Sequence, residues 1–233
     1  MTLGIMQPYF YPYLGYWQLL NTVDKFVLYD NIEFTRRGWI HRNNILSNGE
    51  ARMISLPLKK DSDYCLVRER KLAENMTRES TKMLNQLRSA YGKAPFFHQV
   101  FPLVEKGLNS GIVNLFEFLQ FTIRNISEYL EIKTDIIKSS TVSINHNLKG
   151  EDRVLAFCQS FNANTYINSI GGLELYNKGR FEKHGVELFF LRMDQLRYNQ
   201  FNSKFIPNLS IIDILMFNSK GEVLEMLEKF KLE

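Results

Sequence analysis

The stretch TLGIMQPYFYPYLGYWQLLNTVDKFVLYD, residues 2–30, decides the fold. Thr2 to Met6 is an apolar run of the length of a buried strand. Pro8 and Pro12 then interrupt regular structure. Gly15 to Asn21 reads as a helix, and Phe26 to Tyr29 is a second short apolar run ending at Asp30. Strand, Pro-rich loop, helix and strand make a βαβ unit, so the two strands are expected to lie parallel.

After this unit the pattern changes. Trp39 to Leu46 and Arg52 to Leu58 flank Ser47-Asn48-Gly49-Glu50, and Asn-Gly is a strong signal for a type I′ hairpin turn. Residues 71–132 read as helical. Met83, Leu87 and Tyr91 share one face, Gly92 and Pro95 end that helix, and further helices are expected over about Phe97–Leu108 and Asn114–Leu130. From residue 133 the alternation of strand and helix resumes. Strands are expected at Asp135–Lys138, Thr165–Asn168 and Val186–Leu191, and helices at Glu151–Phe161, Leu173–Tyr176 and Lys178–His184. Pro207–Phe217 carries the apolar run LSIIDILMF, and Gly221–Phe230 reads as a closing amphipathic helix. The expected architecture is a single α/β domain with a mostly parallel, Rossmann-like sheet. Its core comes from about 1–30 and 133–233, with a hairpin inserted at 31–70 and a helical segment at 71–132.

Composition narrows the function. Of 233 residues, 45% are apolar and 23% charged, which is ordinary for a folded globule and excludes a disordered chain. The 18 Phe and 11 Tyr exceed what a core alone usually needs, so some are expected to line a site. A net charge of +4 is too mild for a nucleic-acid binder but suits one small anionic substrate. Cys65 and Cys158 have no CxxC spacing, so neither a zinc site nor a disulfide framework is indicated, and Cys158 reads as a core residue. None of the four histidines pairs at i, i+4, and no metal ligand set is assigned. Without a leader-like start or an 18-residue apolar run, the expectation is a cytoplasmic protein with no membrane span.

Four constellations carry chemistry. The first is the loop Gln7-Pro8-Tyr9-Phe10-Tyr11-Pro12-Tyr13, which leaves the first strand where open parallel sheets bind ligands. Gln7, Tyr9 and Tyr13 are candidate substrate-binding residues there, ahead of a helix N-terminus that favours anions. The same aromatics also have a simpler use in packing the loop. Tyr13-Leu14-Gly15-Tyr16 has the spacing of the His-x-Gly-His loop of nucleotidyltransferases but lacks both histidines. The second constellation is Asp30 with Arg36, Arg37, Trp39, His41, Arg42 and Asn43. Asp30, at a strand's carboxyl end, and His41, whose unperturbed imidazole titrates near pH ~6.5, are the candidate catalytic groups, and the arginines are candidate phosphate ligands. The third is Asn168 with Gly171, Gly172 and Tyr176, where a Gly-Gly turn allows positive φ and close approach to a ligand. The fourth is Tyr198 and Gln200 with Asp213, a carboxylate at the third position of a helix that Ser210 is expected to cap.

Taken together these motifs resemble the WbqC-like protein family. The residues that carry the resemblance run from Gln7-Pro8-Tyr9-Phe10 and Pro12-Tyr13-Leu14-Gly15-Tyr16 through Asp30, Arg37-Gly38-Trp39 and Arg42-Asn43 to Tyr91-Gly92-Lys93-Ala94-Pro95. They continue with Thr165-Tyr166-Ile167-Asn168, Gly171-Gly172, Leu175-Tyr176, Tyr198, Gln200 and Leu209-Ser210-Ile211-Ile212-Asp213, so nearly the whole chain is covered. His41 departs from the pattern, which has Asn before Arg-Asn. The resemblance implies a role in bacterial O-antigen and surface-polysaccharide biosynthesis. It implies a transferase that adds an acyl or aminoacyl group to the amine of a nucleotide-linked sugar. No cofactor is identified; an activated acyl donor or ATP would serve, and a homodimer is left open. Two other readings stand beside it, an ATP-dependent ligase or nucleotidyltransferase and a non-catalytic partner in a polysaccharide assembly complex.

Overall fold

Eight strands and eight α-helices make up a computed structural model of the chain, which describes residues 1–201 and 204–233. The opening unit is β1 (Thr2–Met6), α1 (Leu14–Thr22) and β2 (Lys25–Leu28). The hairpin follows as β3 (Arg42–Ser47) and β4 (Glu50–Ser55), then α2 (Met76–Tyr91), α3 (Phe97–Leu108) and α4 (Leu115–Tyr129). The alternating part comprises β5 (Asp135–Lys138), α5 (Gly150–Ser160), β6 (Thr165–Ser169), α6 (Lys178–Glu182) and β7 (Glu187–Met193). It closes with α7 (Ile211–Phe217), α8 (Lys220–Leu227) and β8 (Phe230–Leu232). Among these helices none is long and apolar enough to cross a membrane.

The main sheet has six strands in the order β5-β2-β1-β6-β7-β8, and all neighbours are parallel except the antiparallel β7–β8 pair. Counting only its own strands in chain order, this is the doubly wound order 3-2-1-4-5-6. β1 lies at the centre, pairing Leu3 with Lys25 on one side and Thr2 with Thr165 on the other. The direction of winding therefore reverses between β1 and β6. Both faces are covered, as a parallel sheet requires. Leu3, Ile5, Val27, Leu188 and Phe190 join α5 and α6 residues in one apolar cluster. The opposite cluster holds α1, α7 and α8 together with residues of the hairpin and of α2–α4, so the inserted segments share the core instead of standing apart from it.

Most elements lie where periodicity puts them. The hairpin turn has φ 53° at Asn48 and 78° at Gly49, the two left-handed residues that a type I′ turn demands. One expectation is corrected. The closing helix ends at Leu227, and Phe230 belongs to a three-residue strand, β8, paired with β7 from Leu191 to Met193. A strand this short carries no periodic signal and exists through its partner.

A buried carboxylate ties these layers together. Ser210 caps α7 by accepting from the Ile212 N–H, and two residues into the helix Asp213 is fully buried. Its Oδ1 accepts from the Tyr91 hydroxyl at 2.9 Å, and its Oδ2 accepts from Tyr198 at 2.6 Å and from Gln200 Nε2 at 2.7 Å. The Tyr91 oxygen in turn accepts from the Leu46 N–H at 2.8 Å. Asp213 thus joins α7, the end of α2, strand β3 and the chain after β7. Named above as a candidate binding residue, Asp213 does not line the crevice described below and serves three side chains instead.

Burial raises the Asp213 pKa, while the hydrogen bonds from Tyr198, Gln200 and Tyr91 pull it down. The net folded value lies above the unfolded one, so the native state holds this proton more tightly than the unfolded chain. The associated stability is complete below the unfolded carboxylate range near pH ~4 and is lost as pH rises through the raised folded value. The Tyr198 bond opposes that loss. Tyr198→Phe is therefore expected to cost about 1–3 kcal/mol near neutral pH, and less in acid where Asp213 is protonated. Urea unfolding of both proteins across a pH series measures this, and a penalty independent of pH would contradict it.

Candidate functional site

The carboxyl ends of β1, β6 and β7 open onto a crevice with two adjoining chambers. The first, about 400 Å³, is lined by Met6 and Ser169, the last residues of β1 and β6, with Tyr9, Tyr13, Trp39 and Asn208. It sits at the point where the strand order reverses, the usual address of a ligand in this architecture. The second, about 450 Å³, extends along the end of β7 past Asp194, Arg197, Tyr198 and Lys204. Tyr13 and Asn208 line both chambers.

The wall facing β1 is the Pro-aromatic loop, and its backbone is pinned. Asn43 Nδ2 donates to the carbonyls of Phe10 and Tyr11 at 3.0 and 2.7 Å. Ser210 Oγ donates to the same Tyr11 carbonyl at 2.8 Å. The Pro12 carbonyl accepts from Trp17 Nε1 and from the Ile211 N–H, both at 3.0 Å, and the Gln7 carbonyl accepts from the Tyr16 hydroxyl at 3.2 Å. Tyr11 is held at φ 42°, a conformation a bulky residue rarely adopts. Such strain costs of order 1–3 kcal/mol and persists where surrounding bonds over-determine it.

This pinning presents two phenols to the crevice. Burial raises the pKa of Tyr9, with Tyr13 beside it adding to the effect, and burial raises that of Tyr13, so both remain neutral donors. Neither hydroxyl has a hydrogen-bond partner among the described residues. The Tyr13 ring lies over Gly15, where an added Cβ would come within 2.6 Å of it, so the glycine seats the tyrosine. α1 begins at Leu14 with no side-chain cap and no acid in its first turn, which leaves its N-terminal dipole available to an anion. Trp39 forms an outer wall at 44% exposure. Arg42 stands 6.0 Å from the Trp39 ring centre and donates to the carbonyls of Gly38 at 3.1 Å and Arg37 at 2.6 Å, which shapes the loop that carries the indole.

The sequence-derived candidates divide. Tyr9, Tyr13, Trp39, Asn43 and Tyr198 line the crevice. Asn43 and Tyr198 do so with their polar groups spent on the loop and on Asp213. Gln7 borders the crevice only through its neighbours, and Gln200 is committed to Asp213 and to Ile206, with which it exchanges bonds of 2.7 and 3.0 Å. Asp30 does not line the crevice. It is buried, its Oδ1 accepts from the Ser140 N–H at 2.8 Å, and its Oδ2 accepts from Ser140 Oγ at 2.5 Å. Ser139 Oγ, 2.7 Å from Oδ1, also accepts from the Asp30 N–H at 3.1 Å. The carboxylate thus splices the ends of β2 and β5. Arg36 and His41 lie in a separate cleft, and Arg37 is exposed. Gly171 and Gly172 have no positive φ. They lie in a 3-10 turn after β6, and Gly172 makes room for the Asn168 amide, which would stand 2.6 Å from an added Cβ, and for the Tyr176 ring. Tyr16, the last member of the Tyr-x-Gly-Tyr spacing, is fully buried and does not reach the crevice.

Sequence reasoning missed Ser169, Asp194, Arg197, Lys204 and Asn208. Asp194 follows the last residue of β7, the same signal that singled out Asp30 after β2. Arg197, Lys204 and Asn208 sit on an irregular segment whose approach to β1 is set by tertiary structure. Among the described residues no group of His, Cys, Asp and Glu is arranged to hold a metal ion.

The chain is similar to the Mycobacterium tuberculosis (strain ATCC 25618 / H37Rv) protein described as uncharacterized protein Rv1507c, with 24% identity over 234 residues, covering 96% of each chain. No solved structure matches. The model of the WbqC-like protein family matches residues 7–225, from the first residue of the pinned loop to the closing helix, and the chain belongs to that family.

Proposed function

We propose that the chain is a transferase of bacterial surface-polysaccharide biosynthesis that acylates or aminoacylates the amine of a nucleotide-linked amino sugar in this crevice. The observation that carries the reading is the pinned aromatic wall at the switch point, beside an uncapped helix N-terminus. Rings stack on the faces of a base or a sugar, and two unpartnered phenols supply hydrogen bonds. The diphosphate finds the α1 N-terminus and the exposed cations Arg197 and Lys204, which line the same crevice without a carboxylate partner among the described residues.

Asp194 is the one carboxylate among the described residues that line the two chambers, and it takes the role of proton acceptor. The sugar amine attacks the carbonyl carbon of an activated acyl donor, the C–N bond forms, the leaving group departs with its electron pair, and the amine proton passes to Asp194. A ligase or nucleotidyltransferase reading has less support, since Tyr16 is buried where a phosphate ligand would be needed. The partner-protein reading leaves the depth of the crevice without a use.

The test is a thermal-shift and calorimetry panel of UDP- and dTDP-linked amino sugars, their non-amino analogues, ATP and acyl-CoA. A shift with the amino sugars is expected, because a ligand that binds only the native state raises its stability. A shift with ATP alone, or with none of the panel, would overturn the reading. Trp39→Ala is expected to weaken amino-sugar binding about tenfold, equivalent to a loss of about 1.4 kcal/mol. Gly15→Val, which displaces Tyr13, is expected to do likewise. Asp194→Asn is expected to leave affinity within a few-fold while cutting turnover by roughly 10²–10⁴; full turnover in this variant would remove Asp194 from its role.

A further inference from the structure

A second, smaller cleft opens at the base of the hairpin, with a volume of about 260 Å³. Arg36 and His41 reach it from the arm before β3, Lys59 and Lys60 from the arm after β4, and Arg70 from the turn beyond. The two arms are stitched by the Leu56 N–H donating to the His41 carbonyl at 2.7 Å. Phe34, Leu56 and Leu58 supply the apolar lining. No carboxylate is among the lining residues, and none of them lines the crevice at the switch point.

The buried part of this cleft is unsatisfied. Arg70 is only 2% exposed, yet no carboxylate among the described residues forms an ion pair with it. Its guanidinium lies 4.8 Å from the Phe34 ring centre, and Nη2 donates to the Ser62 carbonyl at 2.6 Å. Its Nε is buried without a hydrogen-bond partner among the described residues, and so is Nδ1 of His41. A buried guanidinium and an unpaired donor are both costly unless a hydrogen-bonded anion meets them. At the rim, Arg36 is 3.3 Å from Asp63 and Lys59 is 3.9 Å from Glu74, exposed pairs that yield readily to a competing ligand. Lys60 is exposed and has no partner among the described residues. Burial, then Arg42, Arg36 and Arg70, push the His41 pKa down, as expected where positive charge is crowded without its counter-ion.

We infer that this cleft is an anion site that takes a phosphoryl group, with Arg70 as its buried ligand, Arg36 and Lys60 as its exposed arms, and His41 in its wall. A planar guanidinium and mobile ammonium groups suit a tetrahedral oxyanion. The inference is independent of the acyl-transfer reading, because it concerns a different cleft and a different ligand chemistry.

The experiment titrates the full chain with inorganic phosphate at low ionic strength and follows the His41 imidazole by NMR, alongside calorimetry. A saturable shift at His41 is expected, absent from His98, His146 and His184. Arg70→Met also removes a ring contact, so the deciding variant is the double substitution Arg36→Ala with Lys60→Ala, at two exposed positions. That protein is expected to bind phosphate at least tenfold more weakly at unchanged thermal stability. No saturable shift in the parent protein, or equal phosphate affinity in the double variant, would overturn the site. A parallel arm uses a nucleoside monophosphate: tighter binding than phosphate assigns a phosphate ester, and equal binding assigns the free anion.

Discussion

The structure turns on the carbonyls of residues 10–12. A loop that leaves the central strand of a parallel sheet must satisfy its polar groups without a ladder. Here the donors come from Asn43 of β3, Ser210 and Ile211 at the start of α7, and Trp17 of α1. Parts of the chain separated by up to 199 positions therefore meet on three consecutive residues. The left-handed Tyr11 is affordable only because these partners leave it no alternative, and the result is a rigid wall at the switch point.

The same economy appears at Asp213. A buried carboxylate with no cation would be costly, yet three donors converge on it, two of them phenols whose own hydroxyls would be stranded otherwise. Through Tyr91 and Leu46 it secures the inserted helices and hairpin to α7. Through Tyr198 and Gln200 it holds the segment that carries Arg197 and borders the crevice. The two nodes lie three residues apart in chain position, Ser210 and Asp213, at the start of one helix, so the placement of α7 governs both the aromatic wall and the far chamber.

How much of this was legible follows from where each signal resides. β1, α1, β2, the hairpin and α3 were read with small shifts in their ends, because apolar period, proline and an Asn-Gly turn are local properties. β8 was not, because three residues acquire strand character only beside β7. Of the candidates, Tyr9 and Tyr13 on the loop after the first strand and Trp39 before β3 line the crevice, and the loop's place after β1 is a local signal that the sequence carries. Asp30 illustrates the opposite case. Its position after β2 is that of a ligand-binding carboxylate, but its neighbours across the sheet are Ser139 and Ser140, which consume it. Arg36, Arg37 and Arg42 form one cluster in the sequence and three environments in the fold, since the chain turns at Arg36 and Arg37 and becomes extended only from Arg42. Conversely, Lys59, Lys60 and Arg70 meet Arg36 and His41 only when the hairpin closes.

The central claim is that the crevice between β1 and β6 is the substrate site. The most direct measurement is the crystal structure of the protein grown with a saturating nucleotide-linked amino sugar. The account predicts density for the ligand between Trp39, Tyr9 and Tyr13, with its phosphates toward the N-terminus of α1 and its amine toward Asp194. Density confined to another part of the surface, with Tyr9, Tyr13 and Trp39 uncontacted, would contradict it.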